Sequence, residues 1–253
     1  DIYRLPIYVL VASIAGTAWA IDPTGLQTAA GMEGKVFELQ QKLTLEKIED
    51  VEWTSETSIE YEFSDRWALR LKIPVEFASE DDKEIDDGFG DLELRLKHVF
   101  NPDSSGIIIA GTAGVTFPTG EDSEGVGGDL RLRLSKWDLG KSKKHGLHAT
   151  LMAKYKSDTE SGEDHLFRED EPGEREFRWE AVLGYTYQVG ESTRLILDVV
   201  REQAEHDDEN ENFIEAGLTH NFTDAITVAV GAGAGIGEES PDFVARAGVQ
   251  FRF

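Results

Sequence analysis

The chain has 253 residues, of which 50 are acidic and 25 are basic, so its formal net charge is −25, and it contains no cysteine. This charge disfavours binding to a phosphate backbone, and nucleic acid is therefore not an expected partner. The lack of cysteine excludes disulfides, thiolate metal sites and a cysteine nucleophile.

The first twenty residues predict a secretory signal peptide. Arg4 precedes an apolar run from Leu5 to Gly16, and Ala18-Trp19-Ala20 supplies small residues at the spacing of a cleavage site. The run is shorter than the about 20 apolar residues that a spanning helix needs. We expect residues 1–20 to be removed on export and residues 21–253 to form one domain, with an uncleaved N-terminal anchor as the alternative.

The rest of the chain alternates apolar and polar residues in short segments bounded by turn residues, which indicates β-strands. We predict twelve strands, at 36–46, 51–63, 67–77, 90–100, 107–117, 129–137, 147–156, 176–188, 193–202, 213–222, 226–235 and 243–253. Mean hydropathy is only −0.37, which agrees with a barrel in which every second residue meets lipid. The predicted fold is an all-β, twelve-stranded antiparallel barrel of the outer membrane.

The connections between the predicted strands alternate in length. Short ones such as Ser64-Asp65-Arg66, Thr223-Asp224-Ala225 and the slightly longer 138–146 are typical of periplasmic turns. The longer connections are strongly acidic and lie at 79–87, 119–128, 157–175 and 203–211. This alternation places both ends of the barrel domain on the periplasmic side.

Five residues depart from the plain strand pattern. Pro74 and Pro118 cannot donate a backbone hydrogen bond, so each is expected at a bulge or a strand end. Gln41, Ser55 and Thr57 are polar at positions that should face outward. We expect the second strand to project above the membrane at Ser55 and Thr57, whereas the pattern does not explain Gln41.

The last predicted strand has the clearest membrane pattern. Every second residue from Phe243 to Phe253 is apolar, whereas Arg246, Gln250 and Arg252 fall on the other face. An aromatic final residue is typical of outer-membrane barrels. We therefore expect Phe253 to be read by the barrel insertion machinery, and the apolar face to contact outer-membrane lipid and lipopolysaccharide.

Four short segments carry a family resemblance, at 64–67 (SDRW), 88–97 (GFGDLELRLK), 111–120 (GTAGVTFPTG) and 239–242 (ESPD). Their order and spacing resemble the outer-membrane family labelled "meta-pathway of phenol degradation", and the likeness covers most of the chain after Glu33. The resemblance implies a barrel in the outer membrane of a Gram-negative bacterium that helps small organic molecules, aromatic ones included, to cross.

The predicted lumen carries paired cations on three strands. The candidate ligand-binding residues are Arg70, Lys72, Arg95, Lys97, Arg131 and Arg133. The strand at 107–117 points only small residues inward and leaves room for these long side chains. The alternative is that the cations pair with inward acids and fill a closed barrel. Those acids are Glu60, Glu62, Glu76, Glu93, Glu180 and Glu215.

The acidic loops offer oxygen ligands for Ca²⁺ or Mg²⁺, and the candidate metal ligands are Asp81, Asp82, Asp86 and Asp87. The spacing of an EF-hand is absent. A solvated acidic surface suited to a salty habitat is the alternative explanation.

A hydrolase is the least favoured function. Outward-facing His98 and His220 have no serine beside them. An omptin-like outer-membrane protease would place an Asp and a His above the barrel, together with a second pair of acids. The loop pairs His206 with Asp207 and His165 with Asp164 lack that second acid pair. We therefore expect no enzymatic activity and no cofactor.

Three functions remain, in decreasing order of support. The first is a barrel that passes or binds small organic solutes. The second is a non-conducting barrel that serves the envelope structurally or presents acidic loops. The third is an outer-membrane hydrolase. The sequence leaves the solute and the oligomeric state open.

Overall fold

The structure is a computed structural model, and it describes residues 34–47, 51–77, 88–101, 106–120, 125–139, 144–157, 177–203, 210–237 and 240–253. The predicted signal peptide at 1–20 lies outside the described residues. Among the residues that are described, no helix is long and apolar enough to cross a membrane.

The described chain consists of β-strands. They are β1 (Val36–Lys47), β2 (Val51–Glu62), β3 (Trp67–Phe77), β4 (Gly88–Phe89), β5 (Leu92–Val99), β6 (Ile108–Phe117), β7 (Gly127–Leu139), β8 (His145–Lys156), β9 (Phe177–Gln188), β10 (Thr193–Gln203), β11 (Asn210–Thr223), β12 (Ile226–Gly235) and β13 (Phe243–Arg252). β4 and β5 both pair with β3 and together make one wall strand. The wall therefore has twelve strands.

Each wall strand pairs antiparallel with its sequence neighbours, and β1 pairs with β13 to close the sheet. The predicted twelve-stranded antiparallel barrel is confirmed. Several strands are longer than predicted, because residues near the loops still pair with a neighbour. β7 begins at Gly127, opposite Lys156, and β11 begins at Asn210, opposite Gln203. β7 also continues to Leu139 and pairs with His145, so the predicted turn at 138–146 is shorter than expected.

Pro74 explains the interruption between β4 and β5. The register runs from Lys72 opposite Glu93 to Val75 opposite Phe89, so the β4–β5 side holds one extra residue. Gly90 donates its N–H to the Pro74 carbonyl at 3.1 Å within this bulge. The predicted bulge at Pro74 is confirmed, and Pro118 lies directly after the end of β6, as expected.

The two faces of the wall separate as the alternation predicts. Leu130, Leu151 and Leu183 are more than half exposed on the outer face, whereas Gln250 and Glu215 are fully buried inside. A barrel with a lipid-facing apolar surface and a polar interior is the arrangement found in the outer membrane.

The first and last strands are joined at the short-turn end. Phe253 N donates to Phe37 O at 2.8 Å, and Phe37 N donates to Phe253 O at 3.2 Å. The two rings lie 6.1 Å apart on the outer face. The C-terminal aromatic residue is therefore part of the barrel closure itself.

The outward polar residues of β1 and β2 bond to one another. Gln41 donates to Ser55 Oγ at 2.8 Å, and Thr57 donates to the Gln41 amide oxygen at 2.6 Å. Polar groups on the outer wall of a barrel are less costly when their hydrogen bonds are made within the protein. This pairing supplies a physical reason for Gln41, which the sequence pattern did not explain.

Candidate functional site

The candidate site is the barrel interior, which is lined by ionisable side chains. The six cations predicted to face inward occupy inward positions on β3, β5 and β7, and Arg131 and Arg133 are among the buried residues. Their contacts with protein groups separate these six cations into two sets of three.

The first set is a continuous row of ion pairs. Lys72 Nζ lies 3.0 Å from Glu56 Oε2 and 2.7 Å from Glu93 Oε1. Arg95 contacts Glu93 and lies 3.1 Å from Asp129 Oδ1. We call this row the lumen ladder, and it is completed by Arg131 Nε, 2.8 Å from Asp129 Oδ2. Its members are Glu56, Lys72, Glu93, Arg95, Asp129 and Arg131.

The lumen ladder crosses β6 because that strand has no side chain at the crossing point. Gly114 pairs in register with Arg95 on one side and Asp129 on the other. A Cβ atom at Gly114 would overlap the Asp129 carboxylate and lie 2.9 Å from Arg95 Cγ. The small residues of β6 thus make room for long cations, as the sequence predicted.

The remaining three cations lie nearer the short-turn end. Arg70 Nε is 2.6 Å from Glu60 Oε2, and Lys97 Nζ is 4.0 Å from the other oxygen of the same carboxylate. Arg133 donates to Thr112 Oγ1 at 2.9 Å. The predicted pairing with inward acids therefore occurs for Glu60 and Glu93, whereas Arg133 also uses a hydroxyl group of β6.

A cavity of about 310 Å³ opens beside the lumen ladder, toward the long-loop end. Lys72, Arg95 and Arg131 line one part of it. The glycine-rich start of β7 and the cations Lys154 and Arg178 line another part. Lys154 keeps 40% of its side chain exposed, although it points into the barrel. This part of the lumen can hold water or a small solute.

A second polar cluster, near the short-turn end, was not predicted. The His148 ring bonds to Ser135 Oγ at 2.9 Å and to Thr186 Oγ1 at 3.0 Å. The Trp137 ring lies 4.4 Å from the His148 ring, and the Arg194 guanidinium sits 4.7 Å above the Trp137 ring. The inward positions of a histidine and a tryptophan at the turn ends of adjacent predicted strands were the available signal.

An apolar cluster occupies the wall across from β3 and β5. Val182, Ile196, Val200 and Phe213 are buried against one another on β9, β10 and β11. In a ring of twelve strands, β10 lies six places from β3, and β11 six places from β5. Neither the family resemblance nor the charge pattern had indicated this apolar surface.

The histidines proposed for a hydrolase are engaged in the outer wall. The His98 ring lies 4.1 Å from Trp67 and 4.7 Å from Phe100. His220 Nδ1 bonds to Thr193 Oγ1 at 2.8 Å, and its ring lies 4.7 Å from Phe222. These contacts belong to an interfacial aromatic girdle. The loop pairs with His165 and His206 lie outside the described residues.

The loop acids proposed as metal ligands, Asp81, Asp82, Asp86 and Asp87, also lie outside the described residues. Within the part of the chain that the structure describes, no group of three or more His, Cys, Asp or Glu side chains could hold a metal ion.

Comparisons with known proteins agree on the family and the fold. The model of the family described as "Putative MetA-pathway of phenol degradation" matches residues 69–253. An outer membrane channel from Pseudomonas putida F1 aligns with a TM-score of 0.69 at 16% identity, over 92% of this chain and 100% of the channel. No curated protein sequence matches the chain.

Two porins have the same fold at lower similarity. A KdgM porin in complex with disordered oligogalacturonate aligns with a TM-score of 0.57 at 10% identity, over 86% of this chain and 99% of the porin. A NanC porin aligns with a TM-score of 0.57 at 10% identity, over 85% of this chain and 98% of the porin. The fold is thus that of outer-membrane channels and porins.

Proposed function

The chain belongs to the family described as "Putative MetA-pathway of phenol degradation", and from this premise we propose that it is a passive channel for small organic solutes. Its place is the outer membrane of a Gram-negative bacterium, which it reaches after removal of residues 1–20. Phe253 serves as the contact for the insertion machinery. Lipid and lipopolysaccharide surround the apolar outer face.

The observation that carries this proposal is the charged, solvent-accessible cavity inside a closed barrel. Charged side chains within a membrane are costly unless they pair or meet water, and they mark solute pathways for that reason. Lys154 faces the interior and is still 40% exposed. A channel explains such a residue better than a barrel whose interior only has to be filled.

The lumen chemistry favours solutes that carry charged or strongly polar groups. Arg95 and Arg131 present guanidinium groups, which bind carboxylates with two parallel hydrogen bonds. One porin of the same fold is described in complex with oligogalacturonate, an acidic saccharide. We propose that the six lumen cations contact the solute: Arg70, Lys72, Arg95, Lys97, Arg131 and Arg133.

Conductance of the purified barrel in a planar lipid bilayer tests the proposal. We expect discrete current steps from the folded protein, and none from the same sample after it has been unfolded by heating. A protein that shows heat-modifiable mobility, and is therefore folded, yet never conducts would contradict the channel function.

The second candidate is a non-conducting structural barrel, and the lumen ladder is the observation that favours it. Ion pairs join β2 to β3 through Glu56 and Lys72, β3 to β5 through Lys72 and Glu93, and β5 to β7 through Arg95 and Asp129. Such a network would hold a filled barrel together. Conductance separates this candidate from the first.

The divalent-cation site at Asp81, Asp82, Asp86 and Asp87 stays a prediction. Ca²⁺ should bring these carboxylates together and protect the loop, whereas a chelator should let them repel each other. The rate of protease cleavage in this loop should therefore be higher with chelator than with Ca²⁺. Equal rates would favour the plain solvated surface.

A further inference from the structure

The inward charges are divided between two halves of the barrel. We define the cationic half as β3 and β5–β9, and the acidic half as β10–β13, β1 and β2. Each half contains six wall strands in succession. Among the described inward side chains of these strands, the cationic half has nine basic and three acidic residues, and the acidic half has four basic and nine acidic residues.

The nine basic residues of the cationic half are the six predicted cations and three more near the long-loop end. Those three are Lys154, Lys156 and Arg178. Its acids are Glu93, Asp129 and Glu180. Glu93 and Asp129 are each shared between two cations of the lumen ladder. All strand residues that line the 310 Å³ cavity belong to this half.

The acidic half has its carboxylates on four strands. On β1 and β2 they are Glu38, Glu46, Glu56, Glu60 and Glu62. On β10 and β11 they are Asp198, Glu202, Glu211 and Glu215. The four bases of this half are Lys42, Arg194, Arg246 and Arg252.

Ion pairs do not remove this difference in net charge between the two halves, because many of them form within one half. In the acidic half, Arg252 lies 3.6 Å from Glu38 and 3.7 Å from Glu62, and Arg246 contacts Glu215. Pairs between the halves, such as Glu56 with Lys72, form where β2 meets β3. β10 and β11, which carry the other acids of this half, lie six places from β3 and β5 in the ring and therefore on the opposite side of the lumen.

Opposite charges on facing walls create an electric field across the lumen. In a narrow channel with low-dielectric walls this field is screened less than at an open surface. A single ion is attracted to one wall and repelled by the other. A solute with separated positive and negative groups is attracted at both ends, because it can turn until each group faces the wall of opposite charge.

We propose that the lumen selects small zwitterionic solutes of the free amino acid class, and this rests on the proposed channel function. The carboxylate of the solute enters the cavity beside Arg131 and Lys154. The ammonium group points toward the acidic half, where Glu202 faces inward on β10. The cavity is large enough for the carboxylate end of such a molecule, and the arginine geometry suits it.

Solute entry into proteoliposomes tests the proposal, with alanine and lactamide as probes of nearly equal size and shape. Alanine is a zwitterion at pH 7, and lactamide is neutral. We expect alanine to enter up to about fivefold faster, the ratio that corresponds to roughly 1 kcal/mol for one close charge pair in water. Equal rates would overturn the zwitterion proposal.

Two double variants separate a field across the lumen from a simple excess of one charge. Lys154→Gln with Lys156→Gln weakens the cationic half, and Glu46→Gln with Glu202→Gln weakens the acidic half. Both should lower the alanine-to-lactamide ratio. Their reversal potentials in a KCl gradient should move in opposite directions, toward cation and anion selectivity respectively. An alanine-to-lactamide ratio that rises in one double variant and falls in the other would contradict selection by a field across the lumen.

Arg201→Gln is the matched control, because Arg201 lies on the exposed outer face of β10 and its guanidinium bonds to Asn212 there. It should change neither the ratio nor the reversal potential. Heat-modifiable mobility reports whether each variant has folded. Absence of conductance in the folded wild type would contradict the proposed function, whereas conductance with equal entry of both probes would contradict the zwitterion proposal alone.

Discussion

Arg95 and Asp129 form an ion pair at 3.1 Å although a complete strand, β6, lies between the strands that carry them. The pair passes over Gly114, where the interior has no side chain. It links the Lys72 end of the lumen ladder to Arg131, and both residues line the 310 Å³ cavity. The ladder therefore depends on one glycine.

Gly114→Ala should disrupt this pair. The added methyl group would overlap the Asp129 carboxylate, so Arg95 and Asp129 must separate. Loss of a charge-assisted hydrogen bond inside a protein costs about 1 to 3 kcal/mol, and we expect a decrease of that size in the free energy of unfolding in urea. Gly128→Ala is the control, because its Cβ would meet only Gly114 O, at 3.5 Å. Equal loss in both variants would contradict the role of the crossing.

Deletion of Phe253 should reduce the amount of folded barrel in the outer membrane. The deletion removes a backbone pair with Phe37 and a ring contact at 6.1 Å, both at the closure of β1 on β13. It also removes the aromatic end that we expect the insertion machinery to read. The measurement is the heat-modifiable fraction in isolated membranes, with Phe243→Ala at the other end of β13 as control. A heat-modifiable fraction equal to that of the wild type after the deletion would refute the role of Phe253 in barrel closure and insertion.

The positions of the strands and the inward or outward direction of their side chains could be predicted from the sequence. The side-chain contacts between strands could not. The alternation in β13 correctly placed Gln250 and Arg252 inside, because side-chain direction has a period of two along a strand. The partner of Arg95 was not predictable, because shear displaces the heights of neighbouring strands and alternation contains no information on shear. Glu93 is adjacent in the sequence pattern and was foreseen as a partner, whereas Asp129 was not.

The His148 cluster was missed for a related reason. The alternation pattern places a single histidine inward on β8 but does not show that Ser135 and Thr186 lie beside it. Those two residues come from β7 and β9, and only the register brings their hydroxyl groups to the two ring nitrogens. Gly146 leaves the space that this contact needs, since a Cβ there would lie 2.8 Å from His148 Nε2.

His148→Ala should widen the lumen near the short-turn end. The ring fills space between Ser135, Thr186 and Trp137, and it is 96% shielded from solvent, with 4% exposed. Its removal takes one hydrogen-bond partner from each of two buried hydroxyl groups, and each lost bond costs about 1 to 3 kcal/mol unless water replaces the ring. We expect a higher single-channel conductance and a loss of a few kcal/mol, at most about 6 kcal/mol, in the free energy of unfolding. His145→Ala, on the outer face beside Tyr185, should leave conductance unchanged. A fall in conductance would contradict this account of the cluster.

Arg131→Glu with Arg133→Glu tests whether the lumen is a path for solutes. Both residues face the interior of β7, where Arg131 bonds to Asp129 and Arg133 to Thr112. In an open lumen, reversing two charges changes the local potential that ions meet, and charged patches of this kind determine ion preference in pores. The reversal potential in a KCl gradient should therefore move toward cation selectivity.

The same double variant in a filled barrel would act differently. The change at Arg131 would break its ion pair with Asp129 and place a second carboxylate beside that acid, and breaking a buried ion pair costs about 3 to 5 kcal/mol. Arg131→Gln with Arg133→Gln is the matched control, since it removes the cations without adding negative charge and should shift the reversal potential by about half as much. A wild-type protein that does not conduct, combined with marked destabilisation of the double variant, would replace the channel by the structural barrel.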